Sequence, residues 1–353
     1  MGKKVITCAP LPPPNGGIAN WYSIVQEEAE KNGIFLININ TSPRKSIAGR
    51  SIFYRIFVQG FRMLTQYREL ARLINDNQDI RVAHITTSGQ LALVRDILFL
   101  HLLKSKGLKT IYHIHFGRIP EIFTEKKMEY RFLHKAFSLA SDTIAIDPKT
   151  YQTLCESFGM ETIHYIPNPV RKLDMEASIA KNNVLFLGNV LPAKGIEELL
   201  QAWEKLTPEY PDWTLTIAGF CEDSYKAYIE KQYSLQNVIM TGYIPHDDAM
   251  KLLAESAFLV LPSYTEGFPN VVIEAMMCGK AVIGTDVGAI SDILSGGCGI
   301  VIPVKDVRGL QRCIVKLMSD RVLCMKMGKN GLEKATEQYV SDKVFAKYNI
   351  LWK

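Results

Sequence analysis

The sequence predicts an α/β protein with two doubly wound parallel sheets, and two observations lead to this fold class. Short apolar runs rich in β-branched residues alternate with stretches of helical periodicity, which is typical of strands joined by crossover helices. The alternation fills the first half of the chain and begins again in the second half. A length of 353 residues also favours two domains over one. We therefore expect two Rossmann-like domains facing a cleft.

The first half contains five predicted strands and ends in a predicted linker. A loop rich in proline and glycine, LPPPNGG (11–17), precedes a helix from about Ile18 to Lys31. IPNPV (166–170) places two prolines around Asn168, which favours a linker and sets the first domain at residues 1–168. The predicted strands are VITCA (5–9), IFLINI (34–39), VAHIT (82–86), TIYHIH (110–115) and DTIAI (142–146).

The second half repeats the architecture without repeating the sequence. Helices are predicted between its strands, for example at Gly195–Leu206 and Asp306–Met318, and a final helix at Ser341–Leu351. We set the second domain at residues 169–338, with 339–353 as a separate C-terminal segment. The predicted strands are VLFLG (184–188), LTIAG (215–219), VIMTG (238–242), FLVLP (258–262), AVIG (281–284) and GIVIP (299–303).

The composition is that of a globular protein, with 47% hydrophobic and 22% charged residues. No apolar run approaches the ~20 residues of a spanning helix, and the run near the start is too short for a signal peptide. Seven cysteines occur without a CxxC pair, so neither a zinc site nor a disulfide framework is indicated. Cys8, Cys278 and Cys313 stand in apolar contexts and are expected as reduced core residues. We expect a cytoplasmic protein.

The excess of basic charge lies in the first half of the chain. Residues 1–168 hold 21 Lys and Arg against 14 Asp and Glu, whereas residues 169–353 hold 20 against 22. Residues 42–72 interleave aromatic side chains with seven basic residues and one acidic residue, Glu69. Such a helix can lie on an anionic membrane through residues 44–72, or pack its aromatic face and solvate its basic one; both interpretations stay open. No nucleic-acid recognition fold accompanies the patch.

The most informative run is SYTEGFPNVVIEAMMCGKAVIGTDVG (263–288), which contains Glu266 and Glu274. It predicts a loop, then a helix from Asn270 that ends at Gly279, then a strand. Eight positions span a little over two helical turns at ~3.6 residues per turn, so the two carboxylates can meet one elongated ligand at two points.

The chemistry of this run suits a nucleotide-sugar. Carboxylates accept hydrogen bonds from vicinal hydroxyls, and amides at a helix N-terminus bind phosphate. The alternative is an ordinary α/β unit whose first glutamate is favoured by the helix dipole. The amides expected at this N-terminus are those of Gly267, Phe268, Asn270 and Val271.

The whole run closely resembles the E-x7-E signature of the retaining family 4 glycosyltransferases. The resemblance implies the GT-B architecture, with 1–168 on the acceptor side, 169–338 binding the donor, and the last helix packing back on the first domain. It also implies that Glu266 orients the hexose hydroxyls, that Glu274 holds the ribose, and that the intervening residues, Pro269 included, line the donor site.

A second stretch, FLGNVLPAKG (186–195), is similar to the family pattern G-R-L-x-P-x-K-G. Lys194 occupies the lysine position and would grip the donor diphosphate. Asn189 occupies the arginine position, so one fixed cation is lost although an amide can still donate a hydrogen bond. The alternative for Lys194 is a solvated lysine before a helix.

Further site residues follow from the same resemblance. Gly16 and Gly17 match the glycine loop that lies over the donor phosphate, and such loops let a backbone approach phosphate closely. His115 matches the histidine beside the donor sugar, whereas His113 and His84 are expected to be structural. Tyr243 belongs to the loop against which the family places the base. Arg118 is either a phosphate ligand for donor or acceptor, or a surface arginine.

The resemblance therefore implies a retaining hexosyltransferase. No DxD motif occurs, so we expect metal independence and no cofactor; Asp247 and Asp248 are contiguous and suggest a helix cap. The expected donor is a UDP-sugar rather than a GDP-sugar. The expected acceptor is a glycan or lipid-linked glycan of surface polysaccharide assembly, handled at the inner face of the cell membrane. The alternatives are a nucleotide-sugar epimerase, a phosphorylase, or a non-catalytic nucleotide-sugar-binding scaffold, which Asn189 favours.

Overall fold

The computed structural model describes residues 2–12, 16–42, 52–173 and 181–353, with the backbone alone for residues 52–57 and 59. It divides into one unit of Met1–Pro169 with Ser341–Lys353 and a second of Val170–Val340. Each unit contains a parallel sheet of six strands, which confirms the predicted fold class. Across the described ranges, no helix has the length and apolar character needed to cross a membrane.

The first unit has the strand order β2-β1-β3-β4-β5-β6. Its β-branched, apolar strands are buried on both faces, as parallel strands covered by helices must be. Its strands are β1 (Lys3–Ala9), β2 (Ile34–Asn40), β3 (Val82–Thr87), β4 (Lys109–Ile114), β5 (Asp142–Ala145) and β6 (Ile163–Tyr165). Its helices before the linker are α1 (Gly17–Lys31), α2 (Ile52–Asp76), α3 (Ala92–Ser105), α4 (Ile119–Glu125), α5 (Met128–Leu139) and α6 (Pro148–Phe158).

The second unit has the strand order β12-β11-β10-β7-β8-β9. Its strands are β7 (Asn183–Leu187), β8 (Thr214–Ala218), β9 (Val238–Gly242), β10 (Phe258–Leu261), β11 (Ala281–Thr285) and β12 (Gly299–Ile302). Its helices are α7 (Ile196–Leu206), α8 (Asp223–Gln232), α9 (His246–Glu255), α10 (Asn270–Met277), α11 (Ile290–Ile293), α12 (Val307–Ser319) and α13 (Arg321–Gln338). A last helix, α14 (Ser341–Leu351), follows in the chain.

The helix α14 packs inside the first unit although it follows the second in sequence. Trp21 Nε1 on α1 donates a hydrogen bond to Tyr348 Oη at 3.0 Å. Ser341 Oγ donates to Glu28 Oε1 at 2.9 Å. The chain enters and leaves the second unit side by side, through a parallel bridge between Val170 and Val340.

The structure differs from the sequence predictions in four places. The strand β6 was not predicted, because three residues give too short a period-2 pattern to recognise. A 3-10 turn at Pro192–Lys194 delays the start of α7 by one residue. Asp247 and Asp248 lie in the first turn of α9, whose N-cap is Pro245, so their assignment as a cap was wrong. Cys8 is buried as expected, but Cys278 and Cys313 are only half-buried.

Candidate functional site

The second sheet reverses its strand order between β7 and β10. These two strands pair in parallel, Phe258 with Val184 and Leu259 with Leu185, so their carboxyl ends lie side by side. In open α/β sheets, ligands bind outside the carboxyl ends of the strands at such a reversal. The two loops that leave this point are residues 188–195 and 262–269, which carry both motifs found in the sequence.

Lys194 and Glu266 form an ion pair at this point. Lys194 Nζ lies 2.6 Å from Glu266 Oε1, and the two side chains are 25% and 11% exposed. The pair joins residues 72 positions apart, and backbone contact supports it, because Tyr264 N donates to Ala193 O at 2.8 Å. An ammonium group carries three N–H donors, so Lys194 can bind a phosphate oxygen without releasing Glu266.

The loop that carries Glu266 is held from several sides. Tyr264 Oη donates to Glu198 Oε1 on α7 at 2.5 Å, and Lys305 Nζ lies 5.0 Å from the centre of the Tyr264 ring. Ala289 N donates to Gly267 O at 3.0 Å. The loop is therefore fixed by neighbouring elements, as a binding site requires of its positioning groups.

Glu274 lies within α10, a little over one turn beyond the loop. Burial raises the pKa of Glu274 above its ordinary value of 4.5, and the charges of His246 and Arg171 oppose that shift. No side chain caps the N-terminus of α10, where Pro269 is the N-cap residue. The structure thus contains a loop carboxylate, a helix N-terminus and a second carboxylate in the order that the sequence predicted.

Three other predicted donor residues occupy different environments. Asn189 is exposed after β7, and Tyr243 is 67% exposed after β9. The ring of Phe268 is instead buried, with its centroid 5.7 Å from that of Tyr339. The side chain of Phe268 therefore packs the second unit, and only its backbone remains a candidate for ligand binding.

In the first unit, Gly16 and Gly17 form the start of α1. Gly16 is the N-cap residue, with extended backbone, and its carbonyl accepts from Asn20 N at 2.9 Å. No described atom lies within 4 Å of the position that a Cβ would take at either glycine. Packing against the described residues therefore does not explain why glycine occurs at positions 16 and 17. Close approach of a ligand to the backbone is a physical reason that remains.

His115 follows β4 immediately and lies against His113, with ring centroids 4.0 Å apart. Burial lowers the pKa of His115 to about 3, so its imidazole is neutral near pH 7. Its Nε2 atom is buried without a hydrogen-bond partner among the described residues. His113 and His84 are fully buried within the sheet.

Arg118, predicted as a phosphate or surface arginine, forms an ion pair. Its Nη2 lies 3.2 Å from Glu129 Oε1, and its guanidinium carbon lies 5.5 Å from the centre of the Phe116 ring. Glu129 also accepts a hydrogen bond from Gln90 N at 2.9 Å. Arg118 therefore ties the loop after β4 to α5 and to the segment after β3.

Several residues of the site carried no signal in the sequence. Glu198 was indistinguishable from any other glutamate in the first turn of a helix, yet it holds Tyr264. Arg171 and His246 act on Glu274 from more than 25 positions away. Within the described ranges, no group of three His, Cys, Asp or Glu residues is arranged to hold a metal ion.

The family model described as glycosyl transferases group 1 matches residues 175–334. The chain is 28% identical over 195 residues to N-acetyl-alpha-D-glucosaminyl L-malate synthase of Bacillus anthracis, covering 53% of this chain and 50% of that protein. It is 26% identical over 195 residues to the lipopolysaccharide core biosynthesis mannosyltransferase LpsB of Rhizobium meliloti, covering 51% and 55%. The aligned part thus spans about half the length of these curated relatives.

The fold is similar to solved structures over nearly the whole chain. The crystal structure of Anabaena Alr3699/HepE in complex with UDP and glucose aligns with a TM-score of 0.74 at 16% identity, covering 99% of this chain and 98% of that one. At this identity the likeness concerns the fold alone, which is the GT-B architecture.

We predict that Gly288→Ala will displace the loop of Glu266. Gly288 has φ +53°, and an added Cβ would lie 2.4 Å from Glu266 O and 2.5 Å from Gly267 O. Gly279 is the matched control, because its φ is +66° but no described atom lies within 4 Å of an added Cβ. Both substitutions should lose about 1 kcal/mol from backbone strain, and Gly288→Ala about 1–3 kcal/mol more from the clash.

The measurement is urea unfolding together with hydrogen–deuterium exchange of residues 264–268. Faster exchange in Gly288→Ala, but not in Gly279→Ala, is expected. Equal exchange and equal stability in the two variants would show that Gly288 does not support the loop.

Proposed function

We propose that this chain, whose residues 175–334 match the family model of glycosyl transferases group 1, is a retaining glycosyltransferase that moves a hexose from a nucleotide-diphosphate donor. The favoured donor is a UDP-sugar. The favoured acceptor is a glycan or lipid-linked glycan, since relatives include a lipopolysaccharide core mannosyltransferase and an O-antigen chain mannosyltransferase.

The observation that carries this proposal is the contact between Lys194 and Glu266 at the reversal of the second sheet. A departing diphosphate needs a cation, and a hexose needs hydrogen-bond acceptors for its hydroxyls. The ion pair supplies both within one site, since Glu266 retains its second oxygen for sugar hydroxyls. Lys194 and the N-terminus of α10 would together stabilise the negative charge that develops on the leaving phosphate.

Glu274 would bind the ribose of the donor. A carboxylate accepts from both vicinal hydroxyls of a ribose, and these hydrogen bonds would replace the water that burial removes from Glu274. The position of Glu274 inside α10, whose N-terminus would face the diphosphate, gives the order ribose, diphosphate, hexose along the site.

Gly16, Gly17 and His115 are the proposed ligand-binding residues of the first unit. The open space around the two glycines would admit a phosphate or acceptor against the backbone. His115 would act as a neutral hydrogen-bonding group near the sugar, because burial lowers its pKa to about 3. The departing phosphate of the donor would itself balance the positive charge at the reacting sugar carbon, as in front-face transfer with retention. The proposal requires no metal ion.

A non-catalytic nucleotide-sugar-binding protein is the second candidate, and Asn189 favours it. Where the family pattern has arginine, this chain presents an exposed amide, which leaves Lys194 as the cation of that loop. Binding of a nucleotide-sugar without transfer to any acceptor, and without isomerised or phosphorolysed product, would support this candidate against a transferase, an epimerase or a phosphorylase.

We predict that Lys194→Met and Glu274→Gln will each lower kcat/KM for the donor by about 10²–10³, the usual cost of removing one preorganised charge-stabilising group. The assay measures nucleotide release from UDP-glucose, UDP-N-acetylglucosamine, UDP-galactose and GDP-mannose. Lys181→Met is the matched control, because Lys181 forms an ion pair with Glu255 in the same unit. If Lys194→Met and Glu274→Gln turn over like the control, the site assignment is wrong.

We also predict a pH dependence of donor binding that belongs to Glu274. Its pKa is raised, so its carboxylate is lost at a higher pH than that of an exposed glutamate. As the pH falls through that raised pKa, the ribose hydroxyls lose an acceptor and KM for the donor should rise. Kinetics from about pH 5 to about pH 8 should show this rise in the wild type and a flat profile in Glu274→Gln. Identical profiles would contradict the assignment.

Attachment to an anionic membrane is a further part of the proposal. Arg44, Lys45 and Arg50 lie outside the described residues, as does the side chain of Arg55. The described part of α2 exposes Phe61 and Leu64, followed by Arg68 and Arg72 on the same helical face. The neighbouring helix α3 exposes Val94 and Leu98, which with its exposed N-cap residue Leu91 have spacings of three and four residues.

These two helices together offer apolar side chains beside cations, which is the combination that binds an anionic bilayer surface.

We predict that Arg68→Gln with Arg72→Gln will weaken binding to phosphatidylglycerol vesicles about thirtyfold, at ~1 kcal/mol for each arginine. Phe61→Ser with Leu64→Ser should weaken it as well. Val322→Ser with Met325→Ser, which removes exposed apolar side chains from α13 of the second unit, is the control. If neither test variant changes the co-sedimentation of the protein with the vesicles, this surface is excluded as the membrane-binding surface.

A further inference from the structure

A buried cluster of rings in the first unit is connected by hydrogen bonds of defined direction. Trp21 from α1, His84 from β3 and His113 from β4 meet Tyr348 and Trp352 from the C-terminal segment. All five side chains are buried. Buried polar atoms in such a cluster need partners, so their hydrogen bonds determine where each proton lies.

The series of hydrogen bonds begins at Trp352, because an indole N–H can only donate. Trp352 Nε1 lies 3.1 Å from His84 Nδ1, so that nitrogen must be the acceptor. Burial lowers the pKa of His84 to about 3, and its ring is therefore neutral and carries one proton. That proton must be on Nε2.

The next hydrogen bond in the series joins His84 to His113. His84 Nε2 lies 3.1 Å from His113 Nδ1, so the proton on His84 makes His113 Nδ1 an acceptor as well. Burial also lowers the pKa of His113 well below its ordinary value, so this ring is neutral. Its single proton is consequently on Nε2, an atom that is buried without a partner among the described residues.

His113 is the last ring in this series of hydrogen bonds. It lies against His115, the histidine that the proposed function places near the sugar. The His113 and His115 centroids are 4.0 Å apart, and His115 Nε2 is likewise buried without a partner in the described chain. A tautomer change in His113 would replace an N–H with a lone pair beside His115. His113 Nε2 would thereby change from hydrogen-bond donor to acceptor.

We propose that Trp352 is a positioning residue that, through His84, holds His113 in the Nε2–H tautomer and so presents an N–H donor beside His115. The effect on turnover rests on the proposed function, in which His115 hydrogen-bonds near the transferred sugar. The tautomer assignment itself does not depend on that function. It follows from the donor-only chemistry of the indole and from two distances.

The experiment is nitrogen-15 NMR of histidine-labelled protein, which reports the protonated nitrogen of each ring. In the wild type, His84 and His113 should both be protonated at Nε2. In Trp352→Phe, His84 Nδ1 loses its donor, and both histidines should move together toward the Nδ1–H tautomer. The Nδ1–H tautomer or a charged ring at either histidine in the wild type would overturn the proposal, even if Trp352→Phe fails to fold.

Trp21→Phe is the matched control for the tautomers. It removes the same volume from the same cluster and breaks the bond from Trp21 Nε1 to Tyr348 Oη, which is not part of the series. The tautomers of His84 and His113 should be unchanged in this variant. A change as large as that in Trp352→Phe would show that loss of packing alone moves the protons, and would overturn the proposal.

The kinetic test compares Trp352→Phe with Phe345→Leu, which alters packing beside Trp352 without touching the series. Relative to Phe345→Leu, Trp352→Phe should lower kcat about tenfold, the worth of one hydrogen bond, with little change in KM for the donor. Equal kcat in the two variants would show that Trp352 does not affect turnover through the two histidines. A wild type that transfers no sugar would refute the proposed function and leave the NMR result to decide the tautomers.

Discussion

The parallel pairing of β7 with β10 is the constraint on which the candidate donor site depends. These strands are separated by 70 residues, yet their carboxyl ends lie side by side where the order of the second sheet reverses. On either side of such a reversal the connections run to opposite faces of the sheet, which leaves a crevice between the loops. The loops of Lys194 and Glu266 leave these two strands, and they meet there.

The rest of the second unit supports that meeting. Gly195, with φ +69°, brings the backbone so close to Pro262 that an added Cβ would lie 2.1 Å from the Pro262 carbonyl oxygen. Glu198 and Gly288 hold the loop from α7 and from the loop after β11, through a side chain and a close backbone approach respectively. Rigid support of this kind preorganises a charged site, because little reorganisation is then needed when a ligand binds.

The first unit is organised around a different contact, the return of α14. This helix buries Tyr348 and places Trp352 against His84, so the far end of the chain completes a hydrophobic core of the first unit. The same packing buries His84 and His113, and burial lowers the pKa of each, so both rings are neutral. Neutral rings of this kind can act as hydrogen-bonding groups without adding charge.

The sequence by itself determined the features that local patterns encode. Alternating periodicity gave eleven of the twelve strands to within about two residues, and the bounds of α14 were predicted correctly. The placement of Glu266 in a loop and Glu274 in a helix was likewise correct. These features depend on neighbours a few residues apart, whose spacing is visible in the chain.

Tertiary structure alone decided the features that depend on distant residues. The two sheets have different strand orders, although their sequence patterns are alike. The ion pairs of Lys194 with Glu266 and of Arg118 with Glu129, and the buried ring of Phe268, could not be predicted, because nothing local distinguishes a paired side chain from a solvated one. The proton positions of His84 and His113 depend on Trp352, more than 230 residues away, because only packing brings an indole N–H to an imidazole nitrogen.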